Sequence, residues 1–101
     1  MSKLDIYKLA IAEILNSYDG KIPEGDGRIE FQKVIDEKNG HYVLFSVGWT
    51  EDSRIHDCIF HINLKANKIW IQEDNTELSL GHLLNDKGIP EEDIVLAYLE
   101  G

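Results

Sequence analysis

At 101 residues, 43% of them hydrophobic, the chain is long enough for one core and too short for two, so a single domain over residues 1–101 is expected. A charged fraction of 29%, with eight glycines and two prolines, excludes the disordered and low-complexity classes. Nineteen acidic residues against ten basic ones give a formal net charge of −9, a bias that repels a phosphate backbone at long range. Arg28 and Arg54 are the only arginines, and the lysines form no run. Direct nucleic-acid binding is therefore not expected, and the expected partner is a protein.

Cys58 is the only cysteine, which rules out an intrachain disulfide and points to a reducing compartment. Charges interrupt residues 1–8 where a signal peptide needs an apolar run, and no stretch approaches the roughly 18 apolar residues of a membrane span. A cytoplasmic protein with no membrane association is the expectation.

Leu4, Tyr7, Ile11, Ile14 and Tyr18 recur at helical spacing, with Ser2 as N-cap and Gly20 as stop, and predict an amphipathic helix over 3–18. Residues 20–27 are dense in glycine and read as a loop; no helix N-terminus follows that would complete a phosphate cradle. Ile29 and Phe31 then alternate with Glu30 and Gln32 before Val34-Ile35 breaks phase, which predicts a strand with a possible bulge and a hairpin turn at Asn39-Gly40. The run His41 to Trp49 is apolar at both alternating sets of positions and reads as a strand covered on both sides, central in the sheet or at an interface.

Arg54 to Leu64 is a third strand. Strict alternation places Cys58, Phe60, Ile62 and Leu64 on a core face and Asp57, Ile59, His61 and Asn63 on the other. A turn at Lys65-Ala66-Asn67 leads into a fourth strand, Lys68 to Glu73. Asn75 or Thr76 would cap a second helix with Leu80, Leu83 and Leu84 inward; Gly88 stops it, Ile89 closes back on Leu84, and Pro90 prevents continuation. Ile94 to Leu99 is rich in strand formers and reads as a last strand. The fold class is α+β: an N-terminal helix, a four-stranded antiparallel meander, a short second helix and a C-terminal strand. Two helices cover about one face of such a sheet, so the apolar second face predicts a homo-oligomer.

His56, Asp57, Cys58 and His61 are all metal-ligand types, but strict alternation splits them between faces, so no metal site is assigned. Cys58 has histidines to pair with, yet its predicted place beside Phe60 and Ile62 reads as a small core residue; no catalytic residue and no cofactor are assigned. The carboxylates Glu73-Asp74 and Glu91-Glu92-Asp93 read as solvated groups at a helix start and a turn. Trp49 and Trp70 fit either core packing or an interface anchor, and Arg54 fits an interface ion pair.

The segments His41-Tyr42, Val47-Gly48-Trp49, Arg54 to His61, Lys68-Ile69-Trp70-Ile71-Gln72, Asp74-Asn75-Thr76-Glu77 and Gly88 to Leu96 together resemble the XisI family in order and spacing. Residues 63–67 depart from it, since the family often carries an Asp-Ile-x-x-Gly turn there. The resemblance implies a non-catalytic accessory factor of fdxN element excision. It would bind an XisH-like protein and act indirectly with the site-specific recombinase that performs the chemistry. An antitoxin-like inhibitor of a nuclease-like partner is the alternative, and a small metal- or thiol-dependent hydrolase a weaker one. Trp49, Arg54, His61, Trp70, Gln72 and Asp74 are the protein-interface candidates.

Overall fold

The computed structural model describes residues 2–23, 28–77 and 79–99. Helix α1 spans Lys3–Asn16 and opens on a capping box in which the Ser2 hydroxyl accepts from the Asp5 amide while the Asp5 carboxylate accepts from the Ser2 amide. It ends two residues before the predicted limit. Its buried stripe is Tyr7, Ala10, Ile11, Ile14 and Leu15, and Leu4 stands exposed at the margin.

Strands β1 (Ile29–Asp36), β2 (His41–Trp49), β3 (Arg54–Lys65) and β4 (Lys68–Asp74) form the predicted antiparallel meander. The short β5 (Ile94–Leu96) adds to β4 in parallel, giving a mixed five-stranded sheet in the order β1-β2-β3-β4-β5. The chain then finishes in a 3-10 turn at Ala97–Leu99 rather than continuing as strand. Of the predicted 20–27 loop, residues 24–27 lie outside the described residues.

The pairing of β1 with β2 runs one-to-one from Ile29↔Gly48 to Asp36↔His41, without the expected bulge. The phase break at Val34-Ile35 has another cause: both side chains lie half-exposed at the end of the edge strand, so neither position had to be polar. The β1–β2 turn takes four residues, with Gly40 at φ +74 closing it. A Cβ at Gly40 would meet the Leu64 carbonyl oxygen at 2.3 Å, so glycine is required on two counts.

Helix α2 (Leu80–Asp86) is capped by Ser79, three residues later than Thr76. Asp74 reaches it from the end of β4 and accepts from the Leu80 amide at 2.9 Å. Gly88, at φ +94, and the Ile89 amide on the Leu84 carbonyl terminate it as predicted. Both helices pack on one face of the sheet. Tyr42, Leu44, Phe60, Ile62, Ile69 and Ile71 meet Ile11, Leu15, Leu80, Leu84 and Ile89 in one buried cluster. Burying a side chain of this size is worth about 1.5–3 kcal/mol, so this layer holds the fold together.

Candidate protein-interaction face

Two irregularities in the sheet decide what lies on its other side. Leu44 pairs with Phe60 but Phe45 pairs with Cys58, so Ile59 is an extra residue in β3. Likewise Ile62 pairs with Ile71 but His61 with Glu73, which makes Gln72 the extra residue in β4. Asn75 braces the first bulge: its amide donates to the Ile59 carbonyl at 2.8 Å and its Nδ2 to the Cys58 carbonyl at 2.9 Å.

The bulges correct the face assignment drawn from strict alternation. Phe60 and Ile62 are buried with the helices, whereas Cys58 and His56 are moved to the open face, beside His61 and Asn63. Ile59 goes the other way and packs against the core. In β4 the same shift sends Glu73 to the open face, opposite His61, and Asp74 to the helix side, opposite Phe60. Alternation fails here because one inserted residue reverses the face of everything beyond it.

The open face therefore carries Glu30, Gln32, Val34 and Asp36 from β1; His41, Val43, Phe45, Val47 and Trp49 from β2; Arg54, His56, Cys58, His61, Asn63 and Lys65 from β3; and Lys68, Trp70 and Glu73 from β4. Its outward positions on β2 are apolar one after another, where a sheet covered on one side ordinarily alternates to polar residues. Trp49 is 53% exposed and Val34 49% exposed, while Val43, Phe45 and Val47 are half-buried by their neighbours in the sheet.

Cations and imidazoles lie against the aromatic rings. The Arg54 guanidinium sits 5.5 Å from the Trp49 ring centre and donates to the Gly48 carbonyl at 3.2 Å; the Lys65 ammonium lies 4.4 Å from the Trp70 ring; and His56 stacks on Phe45 at 5.3 Å, the two planes 5° apart. His41 Nδ1 contacts both His61 Nε2 and Asn63 Nδ2 at 3.1 Å. Burial first, and then the neighbouring His41, hold the His61 imidazole below its ordinary value and favour its neutral form.

Cys58 is a protonated thiol at neutral pH, because burial and then the Glu73 carboxylate push it up to about 11. Among the described residues, no group of three histidine, cysteine or acidic side chains is placed to hold a metal ion.

Trp49, Arg54, His61 and Trp70 thus share one surface, and Gln72 lies at the bulge on its border. Asp74 is turned away from them, its carboxylate taken up by Thr76 and Leu80. Phe45, His56 and Cys58 belong to the same surface and were not among the interface candidates read from the sequence; the apolar outward run on β2 was the signal for Phe45. On the helix side a cavity of about 580 Å³ opens between the end of α1 and α2, floored by Tyr18, Phe31, Ile59 and Leu83. Among the described residues, no helix is long and apolar enough to cross a membrane.

The chain is thus an α+β domain whose helices cover one side of a mixed sheet and leave an aromatic, cation-bordered side open. The sequence model of the XisI protein family matches residues 1–101, and the chain belongs to that family. Among solved structures it is similar to a XisI-like protein from Anabaena variabilis ATCC 29413, with 30% identity, a TM-score of 0.81, and coverage of 94% of this chain and 85% of that one. It is also similar to the fdxN element excision controlling factor XisI of the same organism, at 30% identity and a TM-score of 0.78 over 96% of this chain and 93% of that one. No match was found among curated proteins.

Proposed function

We propose that this chain is a non-catalytic accessory factor in the control of DNA excision, acting by binding a partner protein of the XisH type. The observation that carries the reading is membership of the XisI family over residues 1–101, with the likeness to an excision controlling factor extending over nearly the full length of both chains. The open face, where Trp49 is half-exposed beside Arg54, agrees with a binding role. Co-expression of this chain with an XisH-type companion tests the proposal. A stable complex of fixed stoichiometry on light scattering is expected, and two proteins that elute separately at micromolar concentration would reject it.

The acidic excess favours one refinement, an antitoxin-like inhibition of a nuclease-like partner. A carboxylate-rich surface competes with phosphate for a basic cleft and speeds encounter with it. Titrating this chain into the companion's nuclease and DNA-binding assays should suppress both at equimolar ratio. Unchanged activity in a formed complex would leave the accessory role and remove the inhibitory one.

A further inference from the structure

We propose that the open face of the sheet is a self-association surface, across which two copies of this chain pack face to face as a sheet-on-sheet sandwich. This goes beyond the role in excision control and stands independently of any companion.

Three observations identify the occupant as a second copy. The first is area. The five strands run 8, 9, 12, 7 and 3 residues, which at strand spacings gives a face of about 600 Å². Two such faces total about 1,200 Å², the lower end of the range that a specific, stable interface buries.

The second is charge. By register, the described residues of the face carry Glu30, Asp36 and Glu73 against Arg54 and Lys65, with Lys68 at the margin. This surface is near neutrality although the chain carries −9. Two acidic molecules can meet here without the repulsion that their net charge would otherwise impose, whereas a basic partner is drawn to the acidic remainder instead.

The third is layout. Val43, Phe45 and Val47 form an apolar centre, flanked by Val34 and Cys58, and the charged side chains lie around it, the arrangement of an interface core within a polar rim. Sheets stack about 10 Å apart with side chains interdigitating, and these half-buried valines and the Phe45–His56 stack are of the size to fill that layer.

The test is size-exclusion chromatography with light scattering on the full chain alone at 10–100 µM, together with Val34→Glu, Phe45→Ser and a control, Leu9→Glu, whose side chain is exposed on α1. Far-UV circular dichroism checks that each variant is folded; Val34 is half-exposed, so its replacement spares the core. The wild type and Leu9→Glu should run at twice the chain mass, with Val34→Glu and Phe45→Ser shifted to monomer or weakened at least tenfold. A monomeric wild type at 100 µM, or a dimer untouched by Val34→Glu and broken by Leu9→Glu, would overturn the proposal. Because the companion is absent, failure here leaves the proposed excision role standing, and failure to bind the companion leaves the dimer standing.

Discussion

The Tyr7 hydroxyl in α1 donates to the Asp93 carboxylate, 86 residues away at the entrance to β5, and fastens the first helix to the last strand. Lys3 joins the same carboxylate at 2.8 Å. The Asp93 carboxyl is held below the usual range by Lys3 first and then by Tyr7, while burial first and then Asp93 push the Tyr7 phenol up to about 12. Tyr7→Phe removes the donor and keeps the ring; it should lower Tm by roughly 4–8 °C, the effect of losing about 1 kcal/mol in a domain of this size. An unchanged thermal melt would show that the bond is not formed in solution.

The same pair sets an acid response. Asp93 has a lower value folded than unfolded, so its stabilisation is present above the unfolded carboxylate value of about 4 and is lost as pH falls through the lower folded one. Urea midpoints measured from pH 6 down to 2.5 should fall more steeply for wild type than for Asp93→Asn. Parallel curves would contradict this assignment.

Cys58 should react slowly with iodoacetamide at pH 7.5, since its thiol is raised to about 11 by burial and by Glu73. Glu73→Gln removes the carboxylate, so the pH profile of alkylation should shift to lower pH while the fold is kept. Rapid alkylation of the wild type at pH 7.5 would mean that Cys58 is neither buried nor beside Glu73.

Ala66 and Asn67, at φ +53 and +60, form the two-residue turn between β3 and β4. Both central positions of this turn type favour Asn-Gly, and an alanine there is strained. The double change Ala66→Asn with Asn67→Gly should therefore raise Tm by several degrees. A decrease would show that the turn is held by contacts other than its own dihedral angles.

Asn75 bonds the carbonyls of Cys58 and of the extra residue Ile59 at the β3 bulge. Asn75→Ala should cost about 1 kcal/mol or more through the lost Nδ2 bonds to the Cys58 carbonyl and the Glu73 carboxylate. It should also accelerate hydrogen exchange at residues 57–61 more than in β1, because the bulge loses its brace. Uniform exchange across the sheet would mean that the bulge holds without it.

Local signals carried much of this structure. The Ser2 cap, the Gly88–Ile89 stop and the short turns each depend on a few neighbouring residues whose preferences act before any packing, so α1, the end of α2 and the meander were legible in the residues themselves. That β2 is apolar on both sides was legible too, and with it the prospect of an uncovered face. The tertiary structure decided which side chains share that face. The extra residues Ile59 and Gln72 arise from how neighbouring strands align, a long-range fit that periodicity within one strand does not encode. Those two insertions move Cys58, His56 and Glu73 out to the open face and Asp74 in to hold α2. The face that gathers Trp49, Arg54, His61 and Trp70 with Phe45 exists only once the strands are paired.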